Sequence, residues 1–140
     1  GLITPEMLWK TDTLGVDCYS YADPPVKRFG KYYVHHGIYA TKGAGNSARK
    51  MMDEFGVSII SGHTHRQAIV SQTFELTGEQ RTGIELGHLT DVKSRGMSYT
   101  NLRDWQSGFG YAYIEGDTVY PFLCQINDNS TVADGKLFFA

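Results

Sequence analysis

Apolar residues fall in short runs separated by glycine-bearing turns, and the runs follow two periods. Lys31–His36 and Val57–Ser61 read as short strands, the second with an apolar centre at Ile59-Ile60. Between them, Ala44, Ala48, Met51, Met52 and Phe55 recur on one face of a helix over Asn46–Phe55. Asn46 is the expected N-cap and Gly56 the residue just past the helix end. A strand, a helix and a strand of these lengths predict a βαβ unit. Its strands pair in parallel through a right-handed crossover.

The flanking segments follow other patterns. Pro5-Glu6 predicts a short helix near the start, and Val26–Gly30 an edge segment turning at Phe29-Gly30-Lys31. Ala68-Ile69-Val70 and Gln72-Thr73-Phe74 predict strand, and Gly78–Arg81 a turn. Thr82–Leu86 is another strand, ending at Gly87-His88. Asp91–Trp105 is polar and aperiodic, which predicts a long loop. Gly108–Glu115 and Thr118–Ile126 flank Gly116-Asp117 as a hairpin. Asn127–Gly135 predicts a loose polar tail, with Leu137-Phe138-Phe139 able to dock. The fold class is α/β (α+β): a mixed sheet with one helix, in a single domain spanning 1–140.

Composition narrows the function. The chain is 41% hydrophobic and 13% aromatic, enough for a core, and its nine Tyr and seven Phe favour sheet. Thirteen basic against 15 acidic side chains give a net charge of -2, with no general pull toward nucleic acid or anionic membrane. No apolar run approaches the roughly 20 residues of a membrane span, so no membrane partner is expected. Cys18 and Cys124 fit no metal or redox spacing. They predict reduced thiols and a cytoplasmic location.

The chemistry gathers at histidines. Four of the five lie in two clusters, His35-His36-Gly37 at the end of the first predicted strand and Gly62-His63-Thr64-His65 just past the second. Imidazole is the commonest side-chain ligand for transition metals, and sheets with flanking helices bind ligands at the C-terminal strand edge. Regular strand spacing puts His63 and His65 on one face. Gly62 is expected to supply the backbone freedom for the turn. His35 and His36 are adjacent and face opposite ways, so His35 is expected to be structural. Partly exposed turn histidines are the plain alternative.

Val34-His35-His36-Gly37, the following helix and Ser61-Gly62-His63-Thr64-His65-Arg66 resemble the second half of the calcineurin-like metallophosphoesterases, over roughly residues 14–126. The Gly-His-Thr-His block together with an upstream His-Gly carries the resemblance, and its flavour is similar to phage and bacterial members. The resemblance implies an α/β/β/α sandwich, of which this chain is the C-terminal portion. It implies that His36 and His63 bind the second metal and His65 the first, the ions being manganese, zinc or iron. The family's Asp-x-His, Gly-Asp-x-x-Asp and Gly-Asn-His blocks are absent from this chain. With them go the bridging carboxylate, the Asn ligand and the His that protonates the leaving group. No catalytic residue is therefore assigned here.

The reading that follows is a metal-dependent phosphoesterase hydrolysing a phosphodiester or phosphomonoester, this chain supplying the C-terminal metal-binding histidines. Arg66, whose guanidinium suits phosphate, and His88, which follows a strand at Gly87 near the expected substrate-side loop, are candidate substrate contacts; a solvated strand residue and a surface histidine are the plain alternatives. The substrate is a phosphate ester, a nucleotide or nucleic acid among the options. The expected partner is a complementary N-terminal half or a second copy. A fragment, a split-gene product and a decayed relative all fit. The alternative function is a non-catalytic metal-binding or protein-interaction module.

Overall fold

The computed structural model describes residues 9–11, 13–93 and 104–139. The short helix expected at Pro5-Glu6 and most of the loop expected over Asp91–Trp105 lie outside them. The described strands are β1 (Val26–Phe29), β2 (Tyr32–Val34), β3 (Ser58–Ser61), β4 (Gln67–Phe74), β5 (Glu79–Leu86), β6 (Gly108–Glu115), β7 (Thr118–Asn127), β8 (Ser130–Ala133) and β9 (Lys136–Phe139). Helix α1 (Asn46–Phe55) joins β2 to β3. The fold is α+β.

One five-stranded sheet runs β1-β2-β3-β5-β4 and a second runs β6-β7-β8-β9. The expected βαβ unit is present. Strands β2 and β3 pair in parallel, with Tyr33 opposite Ile59 and Val34 opposite Ile60. Strand β5 joins β3 in parallel, with Ser61 opposite Glu85, and β4 closes the sheet antiparallel to β5.

Strand alternation sends neighbouring side chains to opposite faces, and the two faces of the first sheet have different covers. On one, Ala48, Met51 and Met52 of α1 bury against Ile59, with Tyr33, Phe55 and Val70 around them. On the other, Val34, Ile60, Ile84 and Leu86 face Gly110, Ala112 and Pro121 of the second sheet across an apolar cleft. The layers are therefore helix, sheet, sheet. Gly83 brings β5 close under the helix, since a side chain there would meet Ala48 Cβ at 3.0 Å and its backbone at 3.2 Å.

Four local expectations need correction. The helix N-cap is Gly45, in left-handed conformation with no side-chain cap, and Asn46 is the first helical residue. The Asn46 amide instead donates to the Lys42 carbonyl at 2.8 Å. Ala44 is exposed outside the helix, and Ser47 takes its place on the buried face. The tail is not loose, because β8 pairs with the end of β7 and with β9. The turns allow this: Asp128 and Asn129 both have positive φ, as do Asp134 and Gly135. Such pairs match the twist of two-residue hairpins. The chain between β4 and β5 turns at residues 75–78, so β5 begins at Glu79, inside the segment expected as turn.

Met51 is fully buried between helix and sheet. Met51→Ala is expected to lower unfolding free energy by about 2–5 kcal/mol, measured by urea denaturation. A loss under about 1 kcal/mol would mean that the helix does not pack there.

Candidate metal centre

The parallel strands β2, β3 and β5 are neighbours in the sheet, and each delivers histidine just past its C-terminal end. His35 and His36 follow β2, His63 and His65 follow β3, and His88 follows β5. The His36 carbonyl accepts the N–H of Gly62 at 3.1 Å and of His63 at 2.9 Å, which locks the first two strand ends together. Gly37 makes that approach possible, because a Cβ on it would lie 2.6 Å from His63 Cβ at a φ of 119°. This is the physical need behind the His-Gly pair. The freedom expected of Gly62 belongs elsewhere: a side chain on Gly62 would meet nothing within 4 Å. The left-handed residue in this turn is His65, with φ 59°. A non-glycine residue in that region is strained, and such strain collects at functional sites.

The rings form two pairs. His36 and His63 have centroids 5.1 Å apart at 72°. His65 and His88 lie 5.8 Å apart, and Trp105 meets His65 edge-on at 4.6 Å. Tyr21 sits 5.7 Å from His36 and 6.1 Å from His63. Burial lowers the His36 pKa below 6.5, and the nearby His63 and His35 lower it further. Burial likewise lowers that of His65, followed by His88, His63 and His36. Both shifts favour the neutral imidazole, which is the form that binds metal.

The donor set fits part of a metal site. With Zn–N bonds near 2.0–2.1 Å and tetrahedral angles, two imidazoles sharing an ion hold their ring centroids roughly 5 Å apart. The His36–His63 spacing agrees. Among the described residues, no three His, Cys, Asp or Glu side chains come together to hold one ion. The His36 and His63 imidazoles thus form a pair, with His65 beside His88.

The remaining site residues have clear roles. His35 Nδ1 accepts the Gly37 N–H at 2.9 Å, and Nε2 lies 3.1 Å from the Asp23 carbonyl. Both nitrogens serve the backbone, so His35 is structural. His88 Nδ1 accepts the Thr90 N–H at 3.2 Å, which assigns the ring proton of the neutral form to Nε2 as a donor. Arg66 is braced by protein: it donates to the Thr41 carbonyl at 2.7 Å and to the Asp104 carbonyl at 3.1 Å, and pairs with the Asp104 carboxylate. Cys18 and Cys124 are free thiols.

One positioning residue escaped the sequence reading. Glu85 is fully buried. One carboxyl oxygen accepts the Ala48 N–H at 3.0 Å, and the other accepts the Thr64 hydroxyl at 2.8 Å. Thr64 Oγ1 in turn accepts the Arg66 N–H at 3.3 Å. Ala48 is in the first turn of α1, where backbone N–H groups lack helical partners. Glu85 therefore satisfies the helix start and holds the turn between His63 and His65 at once. Its signal was a lone acidic residue inside the apolar strand Thr82–Leu86.

Glu85→Ala leaves two buried donors unpaired and is expected to cost about 2–4 kcal/mol. Glu85→Gln, which keeps one acceptor, costs less; chemical denaturation of both variants checks the order. Stability also depends on pH. The folded pKa values of His36 and His65 lie below the unfolded value near 6.5, so the unfolded chain binds more protons just below 6.5. Their contribution is full above 6.5 and is lost as pH falls through that window. Replacing both by Gln is expected to shrink the drop in unfolding free energy between pH 7.5 and 5.5; an unchanged drop would assign it to other groups.

No family model matches the chain. It is similar to the Gene 54 protein of Mycobacterium phage D29, 34% identical over 104 residues that cover 73% of this chain and 41% of the relative. It is also similar to the Gene 54 protein of Mycobacterium phage L5, 33% identical over 104 residues with the same coverage. The aligned part thus spans 41% of the length of these curated relatives.

Proposed function

We propose that this chain supplies metal-binding histidines to a metal-dependent phosphoesterase of the calcineurin-like type. One observation carries the reading: three adjacent parallel strands present histidine at the same C-terminal edge, with His36 and His63 at the ring spacing of co-ligands. His36 and His63 hold one divalent ion and His65 the other, the ions being manganese, zinc or iron. When bound, such ions polarise phosphoryl oxygens and lower the pKa of the attacking water. The chain's own groups do the rest. His88 Nε2–H donates to a phosphoryl oxygen. Arg66, fixed by Asp104 and Thr41, keeps the turn that carries His65 in place. Trp105 walls the His65 side against water.

Two imidazoles at one ion and one at the other bring no negative charge to offset two cations. The Asp, Asn and His of the blocks absent here come from a complementary N-terminal half. The relatives are longer than the matched region, and the extra length is room for such blocks. A covering partner also accounts for exposed Tyr113, Tyr120, Phe122, Leu137, Phe138 and Phe139 on the second sheet.

Calorimetric titration of the chain with manganese at pH 7.5 is expected to show weak binding of at most one ion. Affinity falls as pH drops below about 6.5. His63→Ala is expected to weaken binding at least tenfold, and a chain that binds no divalent ion would sink the reading. In a turnover assay with an aryl phosphodiester and excess manganese, the chain alone is expected to show little activity. Robust hydrolysis that survives His65→Ala would place the chemistry elsewhere.

A further inference from the structure

Beside His36 lies a cavity of about 520 Å³, walled by Trp9, Tyr19, Tyr21, Val26 and Arg28. That volume is within the range of small-ligand sites, roughly 300–1,000 Å³. The walls are unusual for a surface. Trp9 is 65% exposed and Tyr19 52% exposed, so large aromatic faces are left open to solvent. The Arg28 guanidinium lies 5.4 Å from the Tyr19 ring centroid, giving a cationic plane beside an aromatic one. The carboxylate of Asp23, also in the wall, is engaged by the Ser20 N–H at 2.6 Å. Tyr21 connects the cavity to the histidines: its hydroxyl donates to the Gly37 carbonyl, and its ring approaches both His36 and His63.

We infer that this cavity takes the nucleobase of a nucleotide whose phosphate sits at His36 and His63. The placement of the phosphate rests on the phosphoesterase reading above; the base site rests on the cavity itself. Three aromatic walls suit a flat π-system, and stacking tolerates any base. Arg28 adds donors for the acceptor edge of the base and a plane to extend the stack. The immediate neighbourhood of His36 in the lining sets a short reach from base to phosphate, as a nucleoside monophosphate or one residue of a strand provides. A phosphate ester without an aromatic group leaves the cavity unfilled.

The test is calorimetric titration of the full chain with AMP, ribose 5-phosphate and adenosine, each with manganese and with EDTA. AMP is expected to bind at least tenfold more tightly than ribose 5-phosphate. Tyr19→Ala is expected to erase that difference, about a tenfold loss, while Tyr19→Phe keeps it. A dinucleotide binding more tightly than AMP identifies a strand as the source of the base, and equal affinity identifies a free nucleotide. A base preference that persists in EDTA upholds the cavity while counting against the metal. Manganese-dependent binding of ribose 5-phosphate, lost in His63→Ala and without base preference, overturns the cavity proposal and leaves the phosphoesterase reading intact. No measurable AMP binding also overturns it, as does a full base preference retained in Tyr19→Ala.

Discussion

The Glu85 carboxyl group ties three parts of the molecule together at one buried point. It accepts from the first turn of α1 and from the hydroxyl of Thr64, while its own strand lies between β3 and β4. A buried acceptor with two donors is fully satisfied, and removing it strands both. The histidine turn is short and contains a left-handed His65. Such a turn persists only if its surroundings hold it. Glu85 and the paired N–H groups of Gly62 and His63 on the His36 carbonyl are what hold it.

The layered arrangement explains why the histidines lie at one edge. Helix α1 covers one face of the first sheet and the second sheet covers the other, so side chains within the strands are committed to packing. Only residues just past the strand ends are released from that duty. Parallel pairing of β2, β3 and β5 puts those ends side by side. Polar side chains gathered there cost the core nothing, and this is the general reason such edges bind ligands. The histidines, the braced Arg66 and the aromatic walls of Tyr21 and Trp105 all belong to this rim.

The rim differs in character along its length. Around His65 and His88 it is enclosed by Trp105 and bound to the 104–107 segment, with Gln106 N–H on the His65 carbonyl and His88 bridged to Ser107. Around His36 it opens toward exposed aromatic residues and Arg28. A ligand with one phosphate and one flat ring matches that polarity. In the proposed complex the phosphate faces imidazoles and the ring faces aromatic walls.

Much of this was legible in the residues themselves. The helical stripe of Ala48, Met51, Met52 and Phe55, the apolar run at Ile59-Ile60 and the hairpin at Gly116-Asp117 are local patterns. Local periodicity reports which face is buried. The two histidine clusters were legible for the same reason, since each sits against a strand-ending glycine. Other features were decided only by tertiary structure. Glu85 is an ordinary acidic residue until α1 and the Thr64 turn meet over it. His88 is a lone surface-like histidine until β5 inserts beside β3 and brings it to His65. Arg66 looks available for phosphate until Asp104, 38 residues away, pairs with it. Asn46 looks like a helix cap, but Gly45 takes the left-handed conformation and the Glu85 carboxyl satisfies the helix start from across the sheet. Each of these depends on a contact between segments far apart in the chain, and one-dimensional periodicity carries no information about such contacts.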